Sequence, residues 1–282
     1  MSEDLGVAVA QFASGSDKAA NLREIRDFAT VAAQRGAKLV VFPEYSCHFL
    51  PSLCEDSVAA AERLDGPFVA ALSALATVLD MHIVAGLLEA LPGEAAPVDA
   101  PQRHGIQNNR AFNTIVAIAP TLGLVAKYRK IHLYDAFGQS ESEWVAAGAV
   151  DAPELFHLDG FSVGLQTCYD IRFPEITRRL ADAGADLVLV PAAWVLGPLK
   201  EQHWRTLVTA RAIENTLYLA TADQAVPAGI GLSMIVDPRG VELAALGEQP
   251  GQAIAWISPG VVEKTRAANP ALALRRFAVV PR

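Results

Sequence analysis

The chain has 282 residues, of which 52% are hydrophobic and 19% charged, and its 23 Lys+Arg against 31 Asp+Glu give a formal net charge of −8. This composition excludes an intrinsically disordered chain, and the acidic balance argues against binding to nucleic acid or to a membrane surface. Three cysteines, an odd number, exclude a disulfide scaffold and indicate free thiols in a reducing compartment.

Short apolar runs of strand length alternate with amphipathic stretches along the chain. The three- and four-residue period of a helix predicts four helices, at Ala19–Gln34, Pro67–Leu79, Phe173–Ala183 and His203–Ile213. Eleven strands are predicted, at Val7–Phe12, Lys38–Phe42, His82–Leu88, Phe112–Ala119, Leu124–Tyr128, Phe161–Thr167, Asp186–Val190, Leu217–Ala222, Leu232–Val236, Val241–Leu246 and Ala253–Ile257.

The order of these elements indicates the α/β class. Pro120–Gly123 and Asp237–Gly240 are turn signals between neighbouring strands, so part of the sheet is expected to be antiparallel and a purely doubly wound fold is disfavoured. The Pro- and Gly-rich stretch Pro92–Gln107 is interpreted as a surface excursion within a single domain spanning residues 1–282.

The apolar runs carry no targeting signal. No basic leader precedes the first run. No apolar run reaches the ~18 unbroken apolar residues that a membrane span requires. We therefore expect a cytoplasmic protein that binds a small molecule and neither nucleic acid nor a membrane.

Cys168 occupies a conspicuous position in the sequence. It follows the predicted strand Phe161–Thr167, and Pro174 marks the first turn of the next helix. A strand-to-helix turn displays its side chains at a sheet edge, where helix N–H groups favour a thiolate or an oxyanion. The alternative, commoner for an intracellular cysteine, is a small buried hydrophobe.

A thiol with an ordinary pKa of about 8.5 needs a base to react at neutral pH. None of the six histidines has a local sequence that marks it as this base. Glu44 directly follows Pro43 at the end of a predicted strand, where open α/β sheets collect catalytic groups. Lys130 follows another strand. Taken alone, Glu44 and Lys130 fit a solvated surface as well as a site.

Three segments in order resemble the nitrilase, or carbon–nitrogen hydrolase, superfamily. They are FPE at 42–44, YRKIHL at 128–133 and CYDIRFPE at 168–175, and weaker similarity covers nearly the whole chain. The resemblance implies a four-layer α-β-β-α sandwich with two mixed β-sheets, two copies of which commonly pack through their helical faces as a homodimer. The chemistry that it implies needs no metal and no organic cofactor.

The resemblance also implies a catalytic set of Glu44, Lys130 and Cys168. Glu44 is expected to take the Cys168 proton, while the Lys130 ammonium and the backbone N–H of Tyr169 hold the oxyanion. A second family glutamate matches Glu141, with Glu143 as the alternative, and would orient the substrate or Lys130. The expected products are a carboxylic acid and ammonia, formed through a cysteine thioester.

The residues after Cys168 resemble the amidase branch that includes ω-amidase and deaminated-glutathione amidase, whose substrates are small amides bearing a carboxylate. Arg172 is expected either to face such a carboxylate or, as the favoured alternative, to form an ion pair with Asp170 or Glu175. Other hydrolases of the fold, acting on a nitrile or a carbamoyl amine, and a catalytically silent subunit remain alternatives. The expected pocket residues are Tyr45, Asn113, Ala193 and Trp194.

Overall fold

The computed structural model describes residues 4–91 and 110–281, so the predicted excursion at 92–107 lies outside the described residues. The strands in these ranges are β1 (Leu5–Gln11), β2 (Leu39–Val41), β3 (His82–Ala90), β4 (Ala111–Ala119), β5 (Gly123–Arg129), β6 (Val145–Ala146), β7 (Leu155–Leu158), β8 (Phe161–Leu165), β9 (Leu187–Ala192), β10 (Tyr218–Asp223), β11 (Met234–Val236), β12 (Glu242–Ala245) and β13 (Gly251–Ile257). The helices are α1 (Lys18–Gln34), α2 (Glu55–Ala59), α3 (Pro67–Leu79), α4 (Pro174–Asp182), α5 (Lys200–Asn215) and α6 (Pro259–Ala268), with short 3₁₀ turns at Glu141–Glu143 and Cys168–Arg172.

The strands form two mixed sheets. The first has the order β13-β1-β2-β3-β4-β5, with β6 beside β4, and the second has the order β12-β11-β10-β9-β8-β7. The pairs β1–β2 and β2–β3, and in the other sheet β8–β9 and β9–β10, are parallel. Both predicted turns join antiparallel neighbours, β4 with β5 and β11 with β12.

The alternation of side chains along each strand divides the apolar residues into layers. In β1, Val7 and Val9 point into a core shared with β9 of the other sheet, while Ala8 and Ala10 pack with residues of α1 and α3. The outer face of the second sheet packs on α4 and α5. The order is therefore helices, sheet, sheet, helices, which confirms the predicted α-β-β-α sandwich.

Some elements differ from the sequence-based prediction. All eleven predicted strands are present, but β6, β7, α2 and α6 were not predicted, and α5 begins at Lys200 rather than at His203. The missed elements are short or have few buried side chains. Helix α6 has Val262 as its one buried residue, so its apolar residues do not recur with a clear helical period. None of the helices within 4–91 and 110–281 is long and apolar enough to cross a membrane.

The topology brings the ends of several strands to one edge of the sandwich. Glu44 follows β2 and Lys130 follows β5 in the first sheet, while Cys168 follows β8 and Ala193 follows β9 in the second. Parallel strands end on the same side of a sheet, so loops from both sheets meet at this edge.

Candidate active site

A cavity of about 770 Å³ opens at this edge. Every predicted site residue except Asn113 contributes to its lining. The lining includes Glu44, Tyr45, Lys130, Tyr134, Glu141, Cys168, Tyr169, Arg172, Ala193, Trp194 and Lys200.

Lys130 and two glutamates form a buried charged cluster in the cavity. The Lys130 Nζ lies 3.0 Å from Glu44 Oε1 and 2.9 Å from Glu141 Oε2, and all three side chains are almost fully buried. Burial opposes the charge of Lys130, but the negative charges of Glu141 and Glu44 outweigh it and raise the Lys130 pKa well above its usual value. Lys130 is therefore an ammonium ion throughout the neutral range.

Glu141 rather than Glu143 contacts Lys130. Burial would raise the pKa of the Glu141 carboxyl, but the charge and hydrogen bond of Lys130 lower it below its usual value. The Glu141 oxygens also accept hydrogen bonds from Tyr45 OH at 2.7 Å and from the Tyr134 N–H at 2.6 Å. Glu143 is exposed at the rim of the cavity.

Asn113, predicted as a pocket residue, contacts both carboxylates and is not among the residues that line the cavity. Its Nδ2 donates to Glu44 Oε1 at 2.6 Å and lies 3.0 Å from Glu141 Oε1. It also contacts Tyr45 OH at 2.9 Å. Asn113 is fully buried in β4, and its contacts hold the two carboxylates in position.

Cys168 begins the 3₁₀ turn that follows β8. Its φ of 46° is in the left-handed region, which a residue other than glycine seldom adopts and which clusters at functional sites. Burial and the negative charge of Glu44 raise the pKa of the Cys168 thiol well above its usual value, although the charge of Lys130 lowers it. The thiol therefore rests in its protonated form, and the N–H of Tyr169 lies at the N-terminal end of this turn.

Glu44 is held in place by hydrogen bonds from the segments that follow β9 and β10, and the sequence did not predict these contacts. The Ala193 N–H donates to Glu44 Oε2 at 2.7 Å, and the next N–H, of Trp194, donates to Asp223 Oδ1 at 2.7 Å. The Gln224 Nε2 donates to the backbone oxygen of Glu44 at 2.6 Å. The contacts of Ala193 and Gln224 with Glu44 join positions 149 and 180 residues apart in sequence, so no local pattern could have indicated them.

Asp170 and His132, which belong to the recognised motifs, have structural contacts. Asp170 accepts hydrogen bonds from Tyr128 OH at 2.7 Å and from the His132 N–H at 3.0 Å. The His132 ring stacks on Phe173, with 3.6 Å between ring centroids. These contacts tie the Lys130 segment to the Cys168 turn.

Arg172 does not form the ion pair that the sequence favoured. Within the described ranges it has no salt bridge to Asp170 or Glu175, because Asp170 already bonds Tyr128 and His132. The Arg172 guanidinium instead lies 4.7 Å from the Trp194 ring centroid, on the cavity wall. Lys200 joins it on this wall, and the sequence analysis missed Lys200 because the predicted helix began after it.

Comparisons with known proteins identify one family. The family model described as carbon-nitrogen hydrolase matches residues 6–267. The chain is 38% identical over 278 residues to a deaminated glutathione amidase from Escherichia coli, covering 96% of this chain and 97% of that protein. It is 32% identical over 287 residues to the chloroplastic omega-amidase from Arabidopsis thaliana, covering 96% of this chain and 72% of that protein.

A solved structure adds a chemical observation. The chain resembles an amidase of the nitrilase superfamily from Nesterenkonia sp., with a TM-score of 0.76 and 26% identity, covering 98% of this chain and 95% of that one. In that structure, of a mutant, the acetamide moiety of fluoroacetamide is covalently added at the active site cysteine.

Proposed function

This chain belongs to the carbon–nitrogen hydrolase family, and we propose that it hydrolyses a small linear amide bearing a carboxylate to a carboxylic acid and ammonia through a thioester on Cys168. The observation that carries the proposal is the buried Lys130–Glu44 contact of 3.0 Å in the cavity that Cys168 also lines. A base, a fixed cation and a thiol are the groups that covalent hydrolysis of an unactivated amide requires.

In the first half of the reaction, Glu44 takes the proton from the Cys168 thiol as the sulfur attacks the amide carbon. The carbonyl oxygen becomes an oxyanion, which accepts hydrogen bonds from the Lys130 ammonium and the Tyr169 N–H. Protonated Glu44 then gives its proton to the departing nitrogen, the C–N bond breaks, and ammonia leaves the acyl group on the Cys168 sulfur.

In the second half, water replaces ammonia. Glu44 takes a proton from the water as its oxygen attacks the thioester carbon, and the same two donors hold the second oxyanion. The C–S bond breaks, the Cys168 sulfur regains a proton from Glu44, and the carboxylic acid is released. Lys130 stays charged in both halves, which its raised pKa supports.

The hydrogen bonds favour Glu44 over Glu141 as the base. Each Glu141 oxygen accepts from a protein donor as well as facing Lys130: Tyr45 OH bonds Oε1 and the Tyr134 N–H bonds Oε2. Within the described part of the chain, the Ala193 N–H is the one nitrogen donor to Glu44 Oε2. That oxygen keeps a lone pair for the proton, so Glu141 acts by positioning Lys130.

Arg172 supports a carboxylate-bearing substrate. Its guanidinium lines the cavity without a carboxylate partner in the described residues, and a guanidinium binds a carboxylate through two parallel hydrogen bonds. The similarity to an omega-amidase and a deaminated glutathione amidase points to the same class of substrate.

A second candidate is an amide whose nitrogen carries a substituent, as in deaminated glutathione. The cavity volume of about 770 Å³ favours it, because pockets of roughly 300–1,000 Å³ hold drug-sized ligands and a short primary amide would leave much of this space empty. The same residues would then release an amine in place of ammonia.

The test is a panel of dicarboxylic monoamides, aliphatic amides, carbamoyl amino acids, nitriles and deaminated glutathione, assayed for ammonia, carbon dioxide and released amine. We expect ammonia without carbon dioxide from a monoamide, and a mass increase on Cys168 equal to the acyl group. Cys168→Ser should abolish turnover, whereas the matched variant Cys54→Ser should retain it. Turnover by Cys168→Ser at the wild-type rate would reject the nucleophile, and inactivity on every amide would reject the function.

The assembly and the compartment follow the family. Two copies are expected to pack through their helical faces, giving a homodimer whose mass native mass spectrometry would measure. Cys47, Cys54 and Cys168 are free thiols, which suits a reducing cytoplasm.

A further inference from the structure

Lys200 is a buried cation for which the mechanism above has no use. It is the first residue of α5, and its side chain is only 5% exposed although it lines the cavity. Its Nζ donates to Tyr134 OH at 2.7 Å and lies 3.9 Å from the Phe137 ring centroid. Among the described residues, no carboxylate lies within salt-bridge distance of it.

Arg172 shares this environment. The Arg172 guanidinium and the Lys200 ammonium lie 4.7 Å and 5.8 Å from the Trp194 ring centroid, and 5.7 Å and 3.9 Å from that of Phe137. The buried Nε of Arg172 has no hydrogen-bond partner in the described residues. Its Nη2 lies 3.4 Å from Nδ1 of His203, which is not an anion partner.

Two cations held together without an anion are costly. A buried charge needs a partner, and contact with aromatic faces compensates only in part. Burial, and then the positive charge of Arg172, lower the pKa of Lys200. Lys130 lies between Glu44 and Glu141, and Glu143 is exposed at the rim of the cavity, so Arg172 and Lys200 are the two cations of the described lining that have no carboxylate partner.

We propose that Lys200 and Arg172, together with the hydroxyl of Tyr134, form a two-cation subsite for the carboxylate at the far end of the acyl chain, and that Lys200 determines the preference for acidic over neutral amides. The inference rests on the proposed function and deepens it. Since Tyr134 OH accepts its hydrogen bond from Lys200, its own proton is available to the carboxylate. Phe137, 68% exposed beside the two cations, would cover the bound group.

The test compares two substrates of nearly equal shape, succinamate and butyramide, which differ in a terminal carboxylate against a methyl group. For the wild-type protein we expect kcat/KM to favour succinamate. In Lys200→Met, which keeps the side-chain length and removes the charge, the ratio of the two kcat/KM values should fall by roughly 10- to 100-fold, mainly through the KM of succinamate. Lys264→Met, an exposed lysine of α6, is the control and should leave the ratio unchanged.

A binding measurement separates this inference from the proposed function. Glutarate and valerate, titrated calorimetrically into Cys168→Ser, should bind with a preference for glutarate that Lys200→Met or Lys200→Gln removes. If the wild-type protein hydrolysed no amide of the panel while Cys168→Ser still bound glutarate in preference to valerate, the proposed function would be rejected and the subsite kept. Equal binding of glutarate and valerate would overturn the subsite. Equal losses of kcat/KM for succinamate and butyramide in the Lys200 variants would overturn it as well.

Discussion

The Cys168 thiol, the nucleophile of the proposed mechanism, is expected to stay protonated until a substrate arrives. Burial and the charge of Glu44 raise its pKa well above the usual value. Its reaction with a small neutral reagent, methyl methanethiolsulfonate, should therefore be slow at pH 7 and should still increase with pH above 9. Peptide mass mapping at each pH measures the rate for Cys168 separately from Cys47 and Cys54.

Cys54 provides the internal control for this experiment. Hydrogen bonds with Ser57 lower the pKa of its thiol, so Cys54 should react first and reach its maximal rate at a lower pH than Cys168. A Cys168 rate that levels off near pH 7 would show that the thiolate is already formed in the free enzyme, and would contradict proton transfer to Glu44 during attack.

The two glutamates beside Lys130 should differ in the effect of removing their charge. Glu44→Gln should lower kcat by roughly 10²- to 10⁴-fold, the usual contribution of a general base. Glu141→Gln should instead move the alkaline limb of the pH–rate profile to lower pH, because the charge of Glu141 helps to raise the Lys130 pKa. Without it the ammonium loses its proton at lower pH.

The pH profile is what distinguishes positioning by Glu141 from a structural role. If Glu141→Gln lowered activity by the same factor at every pH, the carboxylate would be holding the loop rather than the charge of Lys130.

The sequence could predict Glu44, Lys130 and Cys168 because each lies in a short motif at a strand end. It could not predict the role of Asn113 or Lys200, because their partners come from distant parts of the chain.

At the scale of elements, the Glu44 loop lies directly on strand β3. A Cβ on Gly86 would lie 2.8 Å from both Glu44 Cα and Tyr45 N, closer than side-chain carbons approach backbone. Gly86→Ala should therefore push the loop away from β3, destabilise the fold by about 1–3 kcal/mol and lower kcat by misplacing Glu44. Urea unfolding and ammonia release measure the two effects.

Gly247→Ala is the matched control, since a Cβ there would have no neighbour within 4 Å. It should change neither stability nor kcat beyond what a surface substitution does. If Gly86→Ala behaved like Gly247→Ala, the close approach of the loop to β3 would not be needed to position Glu44.

The elements themselves were predictable to different degrees. The long periodic helices α1 and α3 and the apolar strands follow from local pattern, and Pro120–Gly123 identified the β4–β5 hairpin. The two-residue strand β6 exists only because Ala111 and Phe112 of β4 pair with it. Such an element depends on a tertiary neighbour and leaves no periodic signal of its own.

At the scale of the molecule, the site depends on how the two sheets are joined. Gln11 of β1 accepts hydrogen bonds through Oε1 from the N–H and hydroxyl of Ser233, at 3.0 and 2.8 Å. Gln224, next to β10, bonds both Ser14 and the backbone of Glu44. Buried polar networks of this kind fix one relative arrangement of the elements that they join. The side chains of the site are therefore expected to keep their positions only while the two sheets stay packed together.

Asp223, in the same region, couples the stability of the whole molecule to pH. It is fully buried, its Oδ2 has no partner among the described residues, and burial raises its pKa well above the usual value. Above pH about 4 the unfolded chain loses this proton while the folded protein keeps it. The folded state thus binds more protons than the unfolded state. The contribution of Asp223 to the free energy of unfolding therefore falls as the pH rises toward the pKa of Asp223 in the folded protein.

Asp223→Asn should therefore gain stability relative to wild type as pH increases from 4 to 9. The difference in unfolding free energy can change by at most about 1.4 kcal/mol per pH unit, and urea unfolding at each pH measures it. The Asn oxygen can still accept the Trp194 N–H, so its loss of packing is constant with pH. A pH-independent difference between Asp223→Asn and wild type would mean that Asp223 is ionised in the folded protein.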